Sequence, residues 1–350
     1  RETQMRNMNS VSVVAYVVAA MLCGTGAASG QIDPSLFSLG ERLSGFNEPS
    51  VRGIGMGGVL TALDSRDPIN PAQNAELDGW WGQFRTGWLN TSVGTDIKSV
   101  GFKVACPIGS ARHPAGLAFH YQTLDSSNRG VNIPMPPPDP SLSVDLREGD
   151  WGVSYGRKVG RKVAVGLTIA GDVDVDIDML AVPGATKLAK LNSGPSAGIS
   201  GARVGALYTP CDAWRVGLLF SVGGTDVDVT SLFPEPVKAT YEFDTWSLRV
   251  GAQYKPHART TLALEMDRGH ISGAGSSSES TMWWGGIEQR LSCNLALRIG
   301  SADGPFSAGI GYSGDGWGID YAYVNDRYRD SLSDLYGGSA GNYLAVHKLF

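Results

Sequence analysis

Four aspartates stand at alternate positions, Asp172, Asp174, Asp176 and Asp178, with Val173, Val175 and Ile177 between them. Carboxylate oxygens suit a hard divalent cation such as Ca²⁺, or the mouth of a cation-selective pore. Alternate residues of a strand stand well apart, and a solvated strand edge is the simpler account of the ladder, so no metal is assigned. A second set of charges, Arg85, Arg203, Arg215, Arg249, Arg298, Glu265, Asp267 and Asp320, sits opposite large apolar residues in alternating segments. Enclosed charges must be paired, which makes an internal network the plain reading. The other reading is a polar constriction that orients the carboxylate of an amphipathic ligand. The five histidines, His113, His120, His257, His270 and His347, stand without a nucleophile elbow or metal-type spacing. Lone Ser154 and His120 do not define a catalytic site, so the chain reads as a non-enzyme without a cofactor.

The elements that position these residues are strands. Trp80, Phe84 and Trp88 share one face against Gln83 and Arg85, and Val163, Val165, Leu167 and Ile169 oppose Ala164, Gly166 and Thr168. The same alternation runs through Trp214–Phe220, Trp246–Tyr254, Leu262–Met266 and Leu295–Ile299. One face is large and aromatic, the other small, polar and charged, which suits lipid outside and a wet lumen inside rather than a soluble sandwich. With 47 glycines and 18% charged residues, the composition fits that division. Nothing in the charge pattern points to nucleic acid.

About fourteen such segments follow Gly79, an even number as single-chain bacterial barrels require. Short turns fall at 107–115, 156–162, 209–213, 255–260, 291–294 and 313–316, and longer loops at 125–150, 178–193, 226–238, 269–280 and 325–341. The connections 91–96 and 301–305 are short where the pattern asks for long. Trp80, Trp214 and Trp317 each follow a short turn, where an aromatic girdle sits.

The beginning of the chain is different. Arg6, the apolar run Val11–Leu22 and Ala28-Ser29-Gly30 before Gln31 have the layout of a secretory signal peptide, with Arg1–Gln4 as an extension ahead of Met5. The apolar run is too short to span a bilayer as a helix. Its removal leaves Cys106, Cys211 and Cys293, an odd number without metal-type spacing. From Val51 to Ala72 the chain carries Gly53, Gly55, Gly57 and Gly58, then Asn70-Pro71-Ala72. Those glycines permit close backbone approach, and Pro71 turns the chain away. No alternating β-α pattern surrounds them, so they are not a nucleotide cradle.

The pattern Arg52-x-x-x-Met56-Gly57-Gly58-x-x-x-Ala62 followed by Asn70-Pro71-Ala72 resembles the N-terminal segment of the FadL/PorV superfamily of bacterial outer-membrane barrels. Phe306–Tyr312, Gly318–Val324 and the last strand ending in Phe350 resemble its PorV/PorQ branch. The resemblance implies an all-β fold: a transmembrane antiparallel β-barrel of about 14 strands with an N-terminal hatch inside the lumen. Residues 1–30 are then the signal peptide, 31–78 the hatch, and 79–350 the barrel of a Gram-negative cell outer membrane. Arg52, Gly55, Met56, Gly57, Gly58, Asn70, Pro71 and Ala72 form the hatch motif. Phe350 resembles the signal read by the barrel-assembly machinery, although Lys348 departs from its usual apolar choice. FadL-type relatives imply passage of hydrophobic small molecules such as long-chain fatty acids, with an apolar pocket behind the hatch. PorV/PorQ relatives imply instead a non-conducting scaffold or shuttle that holds secretion-system proteins.

Overall fold

The computed structural model describes residues 50–64, 69–91, 96–110, 112–126, 141–182, 186–193, 199–231, 237–273, 276–302, 304–325 and 339–350. The signal-peptide reading and the hatch reading of 31–49 lie outside these. Fifteen strands form one antiparallel sheet. They are β1 (Trp81–Thr91), β2 (Asp96–Pro107), β3 (Ala115–Ser126), β4 (Ser141–Lys158), β5 (Val163–Val182), β6 (Thr186–Ser193), β7 (Gly201–Cys211), β8 (Trp214–Ser231), β9 (Val237–His257), β10 (Thr260–Gly273), β11 (Ser276–Arg290), β12 (Leu295–Ala302), β13 (Phe306–Ser313), β14 (Trp317–Asn325) and β15 (Ser339–Leu349).

The sheet closes on itself where β1 pairs β15, from Trp81↔Leu349 to Thr91↔Ser339. Closure removes the unpaired edges that a sheet cannot leave in lipid. Fourteen strands make the wall, and β6 is the extra one. β5 pairs with β7 over Val163–Ala170 and with β6 over Val175–Ala181. β8 pairs with β7 up to Gly223 and with β6 from Val227. Far from the short turns, β6 thus takes the place that β7 holds nearer to them.

Alternation sets the two faces. Val163, Val165, Leu167 and Ile169 are exposed, while Ala164 is 3% and Thr168 1% exposed. On β8, Val216, Leu218 and Phe220 point out, and Arg215 and Leu219 are buried. Trp80 (57%), Trp214 (45%) and Trp317 (44%) are exposed at the short-turn end, and Trp214 stacks on Tyr254 at 4.5 Å between centroids. Adjacent aromatics part company: Trp81, 1% exposed, turns inward against Leu77, Ala105, Ala118 and Leu349.

Three expected loops are largely strand. β5 and β6 cover most of 178–193, β8 and β9 reach Ser231 and Val237, and β10 and β11 run to Gly273 and from Ser276. The apolar belt ends well before these points, but ladder pairing needs only backbone partners and continues through polar sequence. Strand lengths therefore range from 21 residues in β9 to 8 in β12 and β13. The four aspartates lie on β5, where the register to β4 shifts between Asp172↔Asp150 and Asp174↔Gly149. The shift falls between Asp172 and the other three, which stay in one unbroken register from Asp174 to Asp178. Their side chains lie outside the description.

Leu218 sits midway along the outward apolar row of β8. Leu218→Arg is expected to weaken folding into phospholipid vesicles by about 2–4 kcal/mol, read by urea titration of tryptophan fluorescence. Unchanged stability would mean that this face does not meet hydrocarbon.

Candidate functional site

The hatch motif lies inside the barrel, across its lumen. A short helix α1 (Val51–Gly55) starts at Ser50, whose side chain accepts from Gly53 N at 3.4 Å. Gly57 and Gly58 then take φ of 85° and 102°, a region that side chains disfavour, and reverse the chain. A 3-10 helix (Pro71–Glu76) follows, begun by Asn70, whose Oδ1 accepts from Ala72 N at 3.1 Å, with Pro71 in the first turn. Met56, Val59, Leu63 and Ala263 form one buried cluster with Trp284 against it, and Ala72, Ala75, Ala164 and Leu207 form another.

Polar contacts tie this segment to the wall all round. Glu265 of β10 accepts the backbone N–H groups of Leu60 at 2.9 Å and Thr61 at 2.7 Å. Gln253 of β9 accepts from Asp64 N at 2.9 Å, and Ser307 Oγ of β13 accepts from Gly57 N at 2.9 Å. Asn70 Nδ2 donates to the carbonyls of Ala206 and Leu218 at 3.0 and 3.2 Å, which bridges β7 and β8.

Charges alternate through the centre. Lys255 pairs with Asp64, and Asp64 with Arg52 at 3.2 Å. Arg52 grips Glu288 of β11 with two hydrogen bonds of 2.7 and 2.8 Å. Arg298 of β12 donates to the same carboxylate at 2.7 Å and to Asp320 of β14 at 2.5 Å. Three cations and three carboxylates make this chain neutral, as an enclosed set has to be. Burial opposes the charge of Asp64, yet Arg52 and Lys255 outweigh it and hold its carboxyl below the ordinary aspartate range.

The remaining sequence-singled charges have local partners. Arg249 lies 3.0 Å from Asp267, 3.5 Å from Glu265 and 4.9 Å from the Trp284 ring centre. Arg215 pairs with Glu76 of the hatch, and Arg85 donates to Gln122. Ser154 Oγ shares a hydrogen bond of 2.9 Å with Thr168 Oγ1, and His120 Nε2 stands 3.9 Å from Asp150. Cys106, Cys211 and Cys293 are unbridged. Sequence reasoning named Arg52 for its motif without its partners Glu288 and Asp64, and it also missed Lys255 and Gln253, which hold Asp64, and Glu76, which pairs with Arg215. Inward parity on an apolar strand was the available signal for Glu288, which opposes Arg298 in register. Beyond the hatch, Gln122, Ser154, Thr168 and Asp150 share the inward face with Arg85, Arg203 and His120, so this part of the wall is polar where an apolar pocket was expected.

No protein-family model and no curated protein matches the chain. Solved structures do. The toluene transporter TodX of Pseudomonas putida aligns with TM-score 0.53 at 13% identity, covering 85% of this chain and 97% of its own. TbuX, a toluene transporter of Ralstonia pickettii, gives 0.54 at 13% identity over 87% and 100%. A FadL homologue of Pseudomonas aeruginosa gives 0.55 at 13% identity over 86% and 98%. Identity this low speaks for the fold, a FadL-like fourteen-stranded barrel.

Glu265→Ala strands two buried backbone donors, each costing about 1–3 kcal/mol. Hydrogen exchange at the Leu60 and Thr61 amides is expected to speed up roughly ten-fold or more, with the strand amides of β10 unchanged.

Proposed function

We propose that this chain is an outer-membrane barrel through which hydrophobic small molecules enter the cell, with long-chain fatty acids as the class to try first. One observation carries the reading: two solved toluene transporters align with this barrel over 97% and 100% of their own length. The outward belt, bounded by aromatic residues at the short-turn end, is what a bilayer-spanning wall needs. Export by the N-terminal signal and insertion by the barrel-assembly machinery complete the scheme. Phe350, 74% exposed at the end of β15, suits that machinery as a recognition point. Neither a cofactor nor catalysis belongs to this proposal.

A second reading has its own support. The hatch is anchored at many points and one part of the wall beyond it is polar, which suits a barrel that holds partners and conducts nothing. Such a barrel is a PorV/PorQ-like scaffold for exported proteins.

Mass spectrometry of the barrel extracted gently from its native membrane separates the two. A stoichiometric hydrophobe, displaced by added fatty acid, is the expected outcome. An empty barrel that brings down exported proteins in stoichiometric amount reverses the order.

A further inference from the structure

The inward face carries glycine, in three in-register groups, on eight of the fourteen wall strands. Gly116, Gly156, Gly166 and Gly205 are consecutive cross-strand partners on β3, β4, β5 and β7. Gly217 opposes Gly251 across β8 and β9, and Gly286 opposes Gly300 across β11 and β12. None of these glycines has a left-handed backbone; what each gives up is a side chain.

The hatch occupies the space so released. A Cβ on Gly166 would meet Ala72 N at 2.5 Å and Pro71 O at 2.6 Å, and one on Gly217 would meet Thr61 C at 2.6 Å. On Gly286 it would meet Met56 at 2.6 Å from the carbonyl carbon and 2.7 Å from Cα. Gly300 faces Met56 and Gly57, Gly205 faces Asn70 and Pro71, and Gly116 and Gly156 face the 3-10 helix. At Gly116, Gly156, Gly166, Gly217, Gly286 and Gly300 the nearest obstacle is backbone, which does not swing aside as a long side chain does, while Gly205 meets the Asn70 side chain and Pro71 ring and Gly251 the Glu265 carboxylate. On β10, which has no glycine at this level, Glu265 receives the hatch amides instead.

We propose that these glycines are the permeability-determining positions of the barrel: they let hatch backbone lie directly on wall backbone, which leaves no file of water or ions between the two. Glycine inside a strand weakens it and is expected where another backbone comes close. Groups of them in register, all met by one segment, make a common seat. A methyl anywhere on the seat lifts the hatch by more than packed structure absorbs and opens a hydrated gap beside it. The inference concerns water and ions, and stands whichever hydrophobe or partner the barrel serves.

Conductance of the purified full-length barrel in planar lipid bilayers under molar KCl is the test, with Gly166→Ala, Gly300→Ala and their combination. Gly160→Ala is the control, since nothing lies within 4 Å of that Cβ. Heat-dependent gel mobility verifies that each barrel is folded. Wild type and Gly160→Ala are expected to stay at the bilayer baseline, and the seat variants to pass current at least ten-fold above it in lasting steps. Folded seat variants as tight as wild type overturn the proposal, and so does a wild-type barrel that conducts as they do. Should both seat variants fail to fold, Gly309→Ala replaces them: its Cβ meets Gly55 Cα at 3.1 Å, a clash small enough to yield. A smaller but resolved leak is then expected, and none overturns the idea.

Discussion

An irregular segment enclosed by a barrel has no water to satisfy its backbone, and that constraint organises the interior of this protein. The segment from Ser50 to Glu76 makes few regular hydrogen bonds of its own, so the wall supplies them. Glu265, Gln253 and Ser307 turn inward to accept backbone N–H groups that a strand neighbour would otherwise take. Asn70 works in the other sense, donating to strand carbonyls. The amphipathic alternation of the strands makes this possible, because it delivers one polar face to the lumen along every strand.

Meeting backbone with charge has a cost that is spread over several strands. Glu288 is nearly inaccessible and would be untenable alone, but Arg52 and Arg298 reach it from opposite sides. Removing one member of such a set strands its neighbour, at roughly 3–5 kcal/mol for a buried pair. Hatch and wall are consequently one electrostatic unit: Asp64 and Arg52 belong to the hatch, while Lys255, Glu288, Arg298 and Asp320 come from four different strands.

Much of this was legible in the sequence, and the limits have physical causes. Period-two alternation identified Val163–Ile169 and Trp214–Phe220 with their facing, and the short turns bounded the strands. Strand ends at the other rim were misplaced because the apolar pattern marks where lipid ends, and ladder pairing obeys a different rule. The aspartates show a second limit, since a one-residue register shift is invisible to parity counting. Arg52 was singled out by its motif, yet its partner lies 236 residues away, and no local pattern gives that distance. Glycines flanking a tight turn were readable in principle. Gly156 and Gly166 lie on either side of the 159–162 turn and are cross-strand partners, but their meaning emerges only with the segment that fills the space above them.

The join between β1 and β15 adds an element of time. It unites positions as far apart as Trp81 and Leu349, about 270 residues, whereas most neighbouring strands follow one another after a few residues. Loop-closure entropy makes that union the costliest in the ring. The enclosed segment is joined to β1 by Leu77–Trp80 alone and fits its wall too closely to be threaded in afterwards. Sequence order and fit together favour furnishing the interior while the sheet is still open, with the longest closure in the ring left to seal it.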